Sequence, residues 1–217
     1  MVALPLAVAA FYVDGTIVQY ADRVRPQIQG DVKRVLETLQ QYGDATYIIL
    51  AGLFVLMLDR ARRRFVLDLI VAALLTLAIS HVCKMLLGRP RPVEGDHHFF
   101  AGPFAYPVES EGRLIMLHTW DLFTPGHSKL WSMPSSHTSA AAAMSVFFWH
   151  HYPRLRIFSL FMVVFVGSLR VLFGAHHLSD VIMGAGVGFT VASFVIVPEL
   201  VSRRYGKPRY GTILDIA

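Results

Sequence analysis

The sequence predicts an all-α membrane protein, a polytopic bundle of about six transmembrane helices with a further helix on the outer membrane surface. The first observation is composition: 54% of the 217 residues are hydrophobic and only 16% are charged, with a mean hydropathy of +0.50. Soluble domains carry roughly 25% charged residues, so lipid must form part of the solvent. The second is a series of long apolar segments. The length fits one domain, so we expect residues 1–217 to form a single integral membrane domain.

Six segments are predicted to span the bilayer, since about 20 mostly apolar residues cross its hydrocarbon core as a helix. They are Val2 to about Val13, Ala45 to Leu58, Phe65 to Leu87, His137 to His150, Ile157 to Phe173 and Val181 to Val201. Residues 14–43 are more polar, with Val32, Val35 and Leu39 at helical spacing, which predicts a helical segment at the surface. Residues 88–133 form the one long connection.

The distribution of Lys and Arg predicts the orientation of the helices. Three short regions hold 10 of the chain's 20 Lys and Arg. They are residues 59–64, the connection with Arg154 and Arg156, and the tail with Arg203, Arg204, Lys207 and Arg209. Because basic connections stay in the cytoplasm, both termini are expected inside and residues 88–133 outside. The net charge of +5 does not indicate a nucleic-acid partner, because the cations are scattered between apolar runs.

Three clusters of polar residues lie at predicted helix ends, and the predicted orientation places all three outside. The first holds Lys84, Arg89 and Arg91, where Gly88 and the following prolines end the third span. Single cations are common at helix C-termini and at interfaces. Three of them within eight residues, on the side that should be poor in cations, favour a site for a phosphate group.

The second cluster, Ser132-Met-Pro-Ser135-Ser136-His137, opens the fourth span. Serine and proline are typical of helix starts, so simple capping would explain most of it. Free N–H groups at a helix N-terminus also bind phosphate. Capping does not need His137, whose imidazole can act as an acid or a base near neutral pH.

The third cluster holds Arg170, His176, His177 and Asp180, in the turn between the last two spans. Asp180 follows His176 by four residues, so on a helix both would lie on one face. A carboxylate beside an imidazole fixes the tautomer and makes the other ring nitrogen more nucleophilic. His177, three residues before Asp180, is a geometric competitor for the same carboxylate.

Taken together, the three clusters resemble the signature of the type 2 phosphatidic acid phosphatase family, in the superfamily that includes the vanadium haloperoxidases. The family signature has three motifs. The first is a Lys followed, after six residues, by Arg-Pro, and the second is Pro-Ser-Gly-His. The third is Ser-Arg, then His after five residues, and Asp after three more. This spacing selects Arg91 over Arg89. Two positions depart from the pattern, since Ser136 replaces the glycine and Leu169 replaces the serine before Arg170.

The resemblance implies a hydrolase that needs no metal or cofactor and removes a phosphate monoester from a lipid, or cleaves a polyprenyl or other lipid diphosphate. It implies a phosphohistidine intermediate on His176, oriented by Asp180, with His137 as the acid and base. The residues expected to bind the phosphate are Lys84, Arg91, Ser135, Ser136 and Arg170. The partners would be the bilayer and a phosphorylated lipid.

Two other functions fit the same residues. One is a lipid phosphotransferase of the same fold, which passes the phosphate to an alcohol instead of water. The other is a non-catalytic membrane protein that binds or transports phospholipids, although binding alone would not need an oriented nucleophile. The sequence leaves the lipid open among polyprenyl phosphates, phosphatidylglycerol phosphate, phosphatidate and a phosphorylated saccharolipid. We expect an integral protein of a bacterial inner membrane, and the distribution of Lys and Arg predicts that the site faces the periplasm or outside.

Overall fold

The computed structural model describes residues 2–95, 97–110 and 112–205, and over these ranges the chain is a helical bundle with one β-hairpin. The helices are α1 Ala3–Phe11, α2 Asp14–Val24, α3 Gly30–Leu39, α4 Ala45–Leu58, α5 Val66–Leu87, α6 Ser136–His151, α7 Arg156–Leu172, α8 Leu178–Ile196 and α9 Ser202–Tyr205. The predicted all-α membrane bundle is confirmed, and the hairpin is an addition to it. Lys207 and Arg209, counted above for orientation, lie outside the described residues.

Three helical stretches of the described chain are long and apolar enough to cross a membrane, namely Arg63–Glu94, Pro153–Leu172 and Leu178–Ile196. The number rises to five if each of two bent pairs is one span. These pairs are Ala3–Phe11 with Asp14–Gln27, bent by 71°, and Gly30–Gly43 with Ala45–Leu58, bent by 67°. The remaining expected span, the fourth along the chain, corresponds to α6, which has only 16 residues. The count of six stays a prediction.

Helix α6 is short because it lies in the middle of the bundle and not at its lipid-facing surface. Its residues Ala141–Phe147 are all buried, and it packs against α5, α7 and α8. A helix that is enclosed by other helices can satisfy its backbone without matching the full bilayer thickness. The length rule for lipid-exposed spans therefore applies poorly to it.

Glycines on α8 allow the close approach of α8 to α6. A Cβ atom on Gly184 would lie 2.5 Å from the carbonyl oxygen of Ser135, and one on Gly188 would lie 2.7 Å from the Cβ of Ala142 and still closer to the Ser139 carbonyl. Small residues at such crossings are typical of membrane helix packing. This crossing brings the start of α8 next to the start of α6.

The predicted surface segment, residues 14–43, is helical but interrupted. A 3₁₀ turn at Arg25–Gln27 contains Pro26, and Gly30 has a φ of +61°, so α2 and α3 are separate helices. On α3 the side chains of Val32 and Val35 are 62% and 56% exposed. An exposed apolar stripe on a polar helix is what an interfacial helix presents to lipid.

The long connection contains a β-hairpin that the sequence analysis did not predict. Strands β1 Tyr106–Ser110 and β2 Arg113–Leu117 pair antiparallel, and Val108 and Leu117 pack with Leu130 in a small separate core. The connection also folds back on α5, because the Thr119 hydroxyl donates to the carbonyl of Met85 at 2.7 Å. The hairpin is therefore fixed to the end of the bundle that carries the polar clusters.

The residues expected inside lie at the other end of the bundle. The Tyr152 hydroxyl, after α6, donates to Asp59, after α4, and the N–H of Val201, after α8, donates to Asp68 at the start of α5. The arginines of residues 59–64 and the described arginines near 154 and 203 therefore share one end. The three polar clusters share the opposite end.

Substituting Gly188 by alanine should destabilise the protein, because the new methyl group has no room against Ser139 and Ala142. Overpacking of this kind costs about 1–3 kcal/mol. We expect a lower midpoint of thermal unfolding in detergent for Gly188→Ala. Ser193→Ala, at an exposed position of the same helix, is the matched control. Equal midpoints for both variants would show that α6 and α8 do not meet as closely as described.

Candidate active site

The three polar clusters meet at the buried carboxylate of Asp180, in the first turn of α8. The hydroxyl of Ser132, from the second cluster, donates to Oδ2 at 2.5 Å. The guanidinium of Arg89, from the first cluster, donates to Oδ1 at 2.6 Å. The N–H of Ser135 donates to the backbone carbonyl of Asp180 at 3.0 Å. One residue of the third cluster thus holds the other two in place, and all four residues are buried.

His176 precedes α8 and is not on it, which corrects the geometry expected from the sequence. The helix begins at Leu178, and Gly174, with a φ of +69°, makes the tight turn before it. The Nδ1 atom of His176 lies 2.8 Å from the carbonyl oxygen of Ser132. A carbonyl oxygen only accepts, so Nδ1 carries the proton and Nε2 carries the lone pair. Asp180 lies 3.8 Å from Nδ1, too far for a direct hydrogen bond.

Nδ1 of His176 therefore has a nearer partner than Asp180, to which the sequence pattern assigned the role of fixing the tautomer. The Ser132 carbonyl accepts the Nδ1 proton, and the carboxylate acts through its charge and through its bond to the Ser132 hydroxyl. His176 and Asp180 still lie near each other, although His176 precedes the helix that begins at Leu178. The hydrogen bond from His176 to the Ser132 carbonyl joins residues 44 positions apart, and a sequence pattern cannot predict it.

The neighbouring His177 does occupy the carboxylate, as its spacing suggested. It caps α8: its backbone N–H donates to Asp180 Oδ2 at 2.8 Å, and its Nδ1 lies 3.2 Å from the same oxygen. Its Nε2 lies 3.3 Å from Nδ1 of His97. The side chain is completely buried and both ring nitrogens have partners, so His177 is not available as a nucleophile.

Lys84 is held at the end of α5, with its ammonium group under the second cluster. Gly88 ends the helix in a left-handed conformation, with a φ of +58°. The Lys84 Nζ donates to the carbonyl of Trp131 at 2.7 Å, and the residue is 4% exposed. The ammonium interacts electrostatically with Arg91, Arg170 and Asp180. A buried amine that faces two other cations favours an anion between them.

Arg91 and Arg170 have donors without partners. The Nε–H of each guanidinium is buried and makes no hydrogen bond to the described protein. Arg170 has one weak contact, from NH1 to the Gln40 side chain at 3.4 Å. Unpaired donors on buried cations are costly, and a phosphate group would satisfy both, since guanidinium binds phosphate oxygens in pairs.

Arg89 differs from its neighbour Arg91 at its terminal nitrogens, although the Nε–H of Arg89 is also buried without a partner among the described residues. Its two terminal nitrogens donate to Asp14, Asp180, Ser179 and the carbonyl of His97, at distances of 2.6–2.8 Å. It is completely buried. Arg89 is therefore committed to protein groups, whereas Arg91 is free to bind an anion, which agrees with the choice made from the sequence spacing.

Ser135 and Ser136 form the start of α6. Ser135 is the N-cap and is fully buried, and its hydroxyl accepts from Thr138 Oγ1 at 3.0 Å, which leaves its own proton to donate. Ser136 is the first helical residue, so its N–H has no partner within the helix. Both positions can present donors to an anion at the helix N-terminus.

His137 lies at the boundary between the charged site and an apolar cavity. Its imidazole interacts electrostatically with Arg170, Asp44, Arg91 and Lys84. It also lines a cavity of about 300 Å³ between α4, α5 and α6. The other lining side chains are mostly apolar and include Ile48, Ile49, Ile70, Leu74 and Leu77. His137 therefore faces cations on one side and space for a hydrocarbon chain on the other.

Burial lowers the pKa of His176 to about 3. This pKa is the net result of burial, of Asp180, which raises it, and of the nearby Lys84 and Arg170, which lower it. An ordinary histidine titrates at about 6.5. The imidazole of His176 is therefore neutral at physiological pH, and the lone pair on Nε2 is not blocked by a proton.

Three residues of the site were given no role by the sequence analysis. Asp14 belongs to α2 and contacts Arg89 and Ser179, 165 residues away from the latter. Ser132 was noted only as part of the second cluster. Gln40 contacts Arg170 from the 3₁₀ turn before α4. Isolated polar residues in a weakly apolar segment carry no signal that could have identified Asp14 or Gln40.

Comparison with known proteins gives consistent results. Residues 65–200 match the sequence profile of the PAP2 superfamily. A lipid A 1-phosphatase of Rhizobium johnstonii is 26% identical over 191 residues, which covers 81% of this chain and 70% of that protein. The corresponding protein of Rhizobium etli is 27% identical over 175 residues, 72% of this chain and 67% of that protein. A phosphatidylglycerolphosphate phosphatase of Bacillus subtilis has the same fold, with a TM-score of 0.58 at 20% identity over 96% and 95% of the chains.

The lowered pKa of His176 makes folding sensitive to acid. Below about pH 6.5 the unfolded chain binds a proton at this residue and the folded protein does not, down to its pKa of about 3. The folded state therefore loses stability as the pH falls through this window, by up to about 1.4 kcal/mol per pH unit.

We expect the drop in the midpoint of thermal unfolding from pH 7 to pH 5 to be smaller in His176→Gln than in the wild type. A His150→Gln control, at the exposed far end of α6, should keep the wild-type drop. Parallel curves for all three proteins would contradict a neutral, buried His176.

Proposed function

Because the chain belongs to the PAP2 superfamily, as the motif resemblance implied, we propose that it is a membrane phosphatase that removes phosphate from a lipid through a phosphohistidine. One observation carries the proposal. The imidazole of His176 is held in a single tautomer by the Ser132 carbonyl, beside Lys84, Arg91 and Arg170. Two of these cations have buried donors without partners. A candidate nucleophile and a group of cations that can bind an anion therefore lie side by side.

In the first step, Nε2 of His176 attacks the phosphorus atom in line with the ester oxygen. The N–P bond forms as the P–O bond breaks, and the electron pair of that bond stays on the leaving alkoxide. His137 gives this oxygen a proton as general acid. The imidazole that attacks becomes positively charged, and the carboxylate of Asp180, 3.8 Å from Nδ1, stabilises this charge.

In the second step, His137 acts as general base. It takes a proton from a water molecule, and the water oxygen attacks phosphorus while the N–P bond breaks and its electron pair returns to His176. The product is inorganic phosphate, and both imidazoles return to their starting state. His137 serves first as acid and then as base, because the first step delivers a proton to the leaving oxygen and the second removes one from water.

The cations of the site supply the charge stabilisation that phosphoryl transfer needs. Three oxygens of the transferring group carry the negative charge in the transition state. Lys84, which is anchored to the Trp131 carbonyl, interacts electrostatically with Arg91 and Arg170, and these three cations would face the oxygens of the phosphoryl group. Ser135 and the N–H of Ser136 add neutral donors. Preorganised charges in a site with little water are worth more than the same charges in solution. We therefore propose that turnover continues when divalent metals are chelated.

The cavity beside His137 supports a lipid as the substrate. Its walls are mostly aliphatic side chains of α4 and α5, and its volume is about 300 Å³. His137 and Ser136 are among its polar lining residues, with Asp44, Thr76, Ser80 and Ser139. A substrate with its phosphate among the cations would place its leaving group next to His137 and its hydrocarbon part in the cavity. The names of the two Rhizobium relatives put lipid A 1-phosphate first among candidate substrates.

The charge distribution supports a site that faces the outside of the cytoplasmic membrane. The arginines of residues 59–64 and the described arginines near 154 and 203 lie at the end of the bundle opposite to Lys84 and His176. Basic ends remain in the cytoplasm. In a bacterium with two membranes, the phosphate site would then face the periplasm.

Phosphate release from a panel of lipids tests the function. We expect the purified wild type, in detergent with a chelator, to release phosphate from at least one lipid of a panel with lipid A 1-phosphate, phosphatidylglycerol phosphate, phosphatidate and polyprenyl phosphates. Loss of the nucleophile in His176→Ala should reduce kcat by about 10⁴-fold or more. His150→Ala, at the opposite end of the bundle, should keep wild-type kcat.

Three outcomes would contradict this proposal. Normal turnover by His176→Ala would exclude His176 as the nucleophile. Loss of activity on chelation would exclude the metal-independent mechanism. Transfer of phosphate to an added alcohol in preference to water would identify a phosphotransferase instead. Each outcome is read from the same assay, by product analysis with and without the alcohol.

A further inference from the structure

Arg89 lies at the centre of a buried ionic network that the proposed reaction steps do not use. It contacts Asp180 Oδ1 at 2.6 Å and Asp14 Oδ2 at 2.8 Å, and the side chains of all three residues are 0% exposed. The rings of Phe11 and Phe100 cover the guanidinium at 5.0 and 5.3 Å. Charges in such surroundings are screened very little, so the balance among them acts on their neighbours.

Asp14 is the one member of this network from outside residues 65–200, the part of the chain that matches the family profile. It lies at the start of α2 and is anchored to α8: the backbone N–H of Ser179 donates to Oδ1 at 3.0 Å and the Ser179 hydroxyl donates to Oδ2 at 2.5 Å. With Arg89, this gives the carboxylate three donors. Asp14 is thus as firmly placed as Asp180.

The network has an unequal charge balance. One guanidinium is shared between two carboxylates, so the formal charge of Arg89, Asp14 and Asp180 together is −1. If Asp14 were neutral, Arg89 would cancel the charge of Asp180 alone. Asp14 occupies one terminal nitrogen of Arg89 and leaves the other for Asp180. The excess negative charge remains beside His176, whose Nδ1 is 3.8 Å from Asp180 Oδ2.

We propose that Asp14 is a positioning residue for the phosphoryl transfer, which acts through Arg89 to keep Asp180 effectively negative. This inference rests on the proposed function, in which His176 becomes positively charged as it takes the phosphoryl group. A net charge of −1 in the network opposes that positive charge and stabilises the intermediate. In a neutral network Arg89 would cancel the charge of Asp180, and the positive charge on His176 would be stabilised less.

Three variants separate charge from shape at this position. Asp14→Asn keeps the shape and removes the charge, Asp14→Glu keeps the charge and changes the shape, and Asp14→Asn with Arg89→Gln restores the network charge to −1 by removing both ions. We expect Asp14→Asn to lower kcat by about 10- to 100-fold, a range typical for groups that orient a reactive side chain. KM should stay near the wild-type value, because Asp14 does not contact the phosphate site.

The other two variants should retain more activity than Asp14→Asn. Asp14→Glu should have a higher kcat than Asp14→Asn, although the larger side chain fits a fully buried position less well. The double variant should also have a higher kcat than Asp14→Asn. If both residues had purely structural roles, their losses would add and the double variant would have the lower kcat. Asp22→Asn, which removes an exposed carboxylate from the same helix, is the matched control and should leave kcat unchanged.

We would measure kcat and KM for phosphate release from the lipid that the wild type hydrolyses best. The kcat values are calculated per amount of folded protein, which is determined by size-exclusion chromatography in detergent. A wild-type kcat in Asp14→Asn, or a kcat in Asp14→Glu below that of Asp14→Asn, would overturn this inference and leave the proposed function intact. If Asp14→Asn does not fold, the double variant decides: a kcat within about tenfold of the wild type supports the inference, and a larger loss overturns it. A wild type without activity on any lipid would overturn the proposed function itself.

Discussion

The carboxylate of Asp180 accepts hydrogen bonds from Arg89 and Ser132, which lie 91 and 48 residues away in the sequence. A buried carboxylate is very costly without such partners, so the folded chain must bring them together. In doing so it fixes the end of α5, the loop before α6 and the turn before α8 at one point. The Ser132 carbonyl then sets the tautomer of His176. The position of the reactive imidazole is therefore a consequence of how one buried charge is satisfied.

The same arrangement leaves donors available for the phosphate group of the proposed substrate. Protein groups satisfy both terminal nitrogens of Arg89, while the buried Nε–H donors of Arg89, Arg91 and Arg170 have no partners among the described residues. Burial also keeps His176 neutral at a cost in acid stability. Unpaired donors and a desolvated imidazole are unfavourable for folding but favourable for binding and attack on a phosphate. Functional sites are where such local conflicts are expected.

The sequence predicted those features that depend on local pattern. The bounds of α4, Ala45–Leu58, agree to the residue because they follow a break in hydropathy, and the motif spacing that separated Arg91 from Arg89 agrees with their different surroundings. Features that depend on tertiary contact were not predictable. They include the enclosure of α6, the orientation of His176 by a backbone carbonyl, and Asp14, whose partners lie 75 and 165 residues away. The β-hairpin was missed because its strands have only five residues each.

Mapping of the phosphorylated residue tests most directly whether Nε2 of His176 attacks the phosphoryl group. The enzyme would be mixed with a lipid substrate, stopped by rapid quenching at alkaline pH during turnover, digested and analysed by mass spectrometry. We predict an acid-labile phosphate on the peptide that contains His176, bound to Nε2. Phosphate on His137 or His177, or turnover without any phosphorylated histidine, would contradict the account.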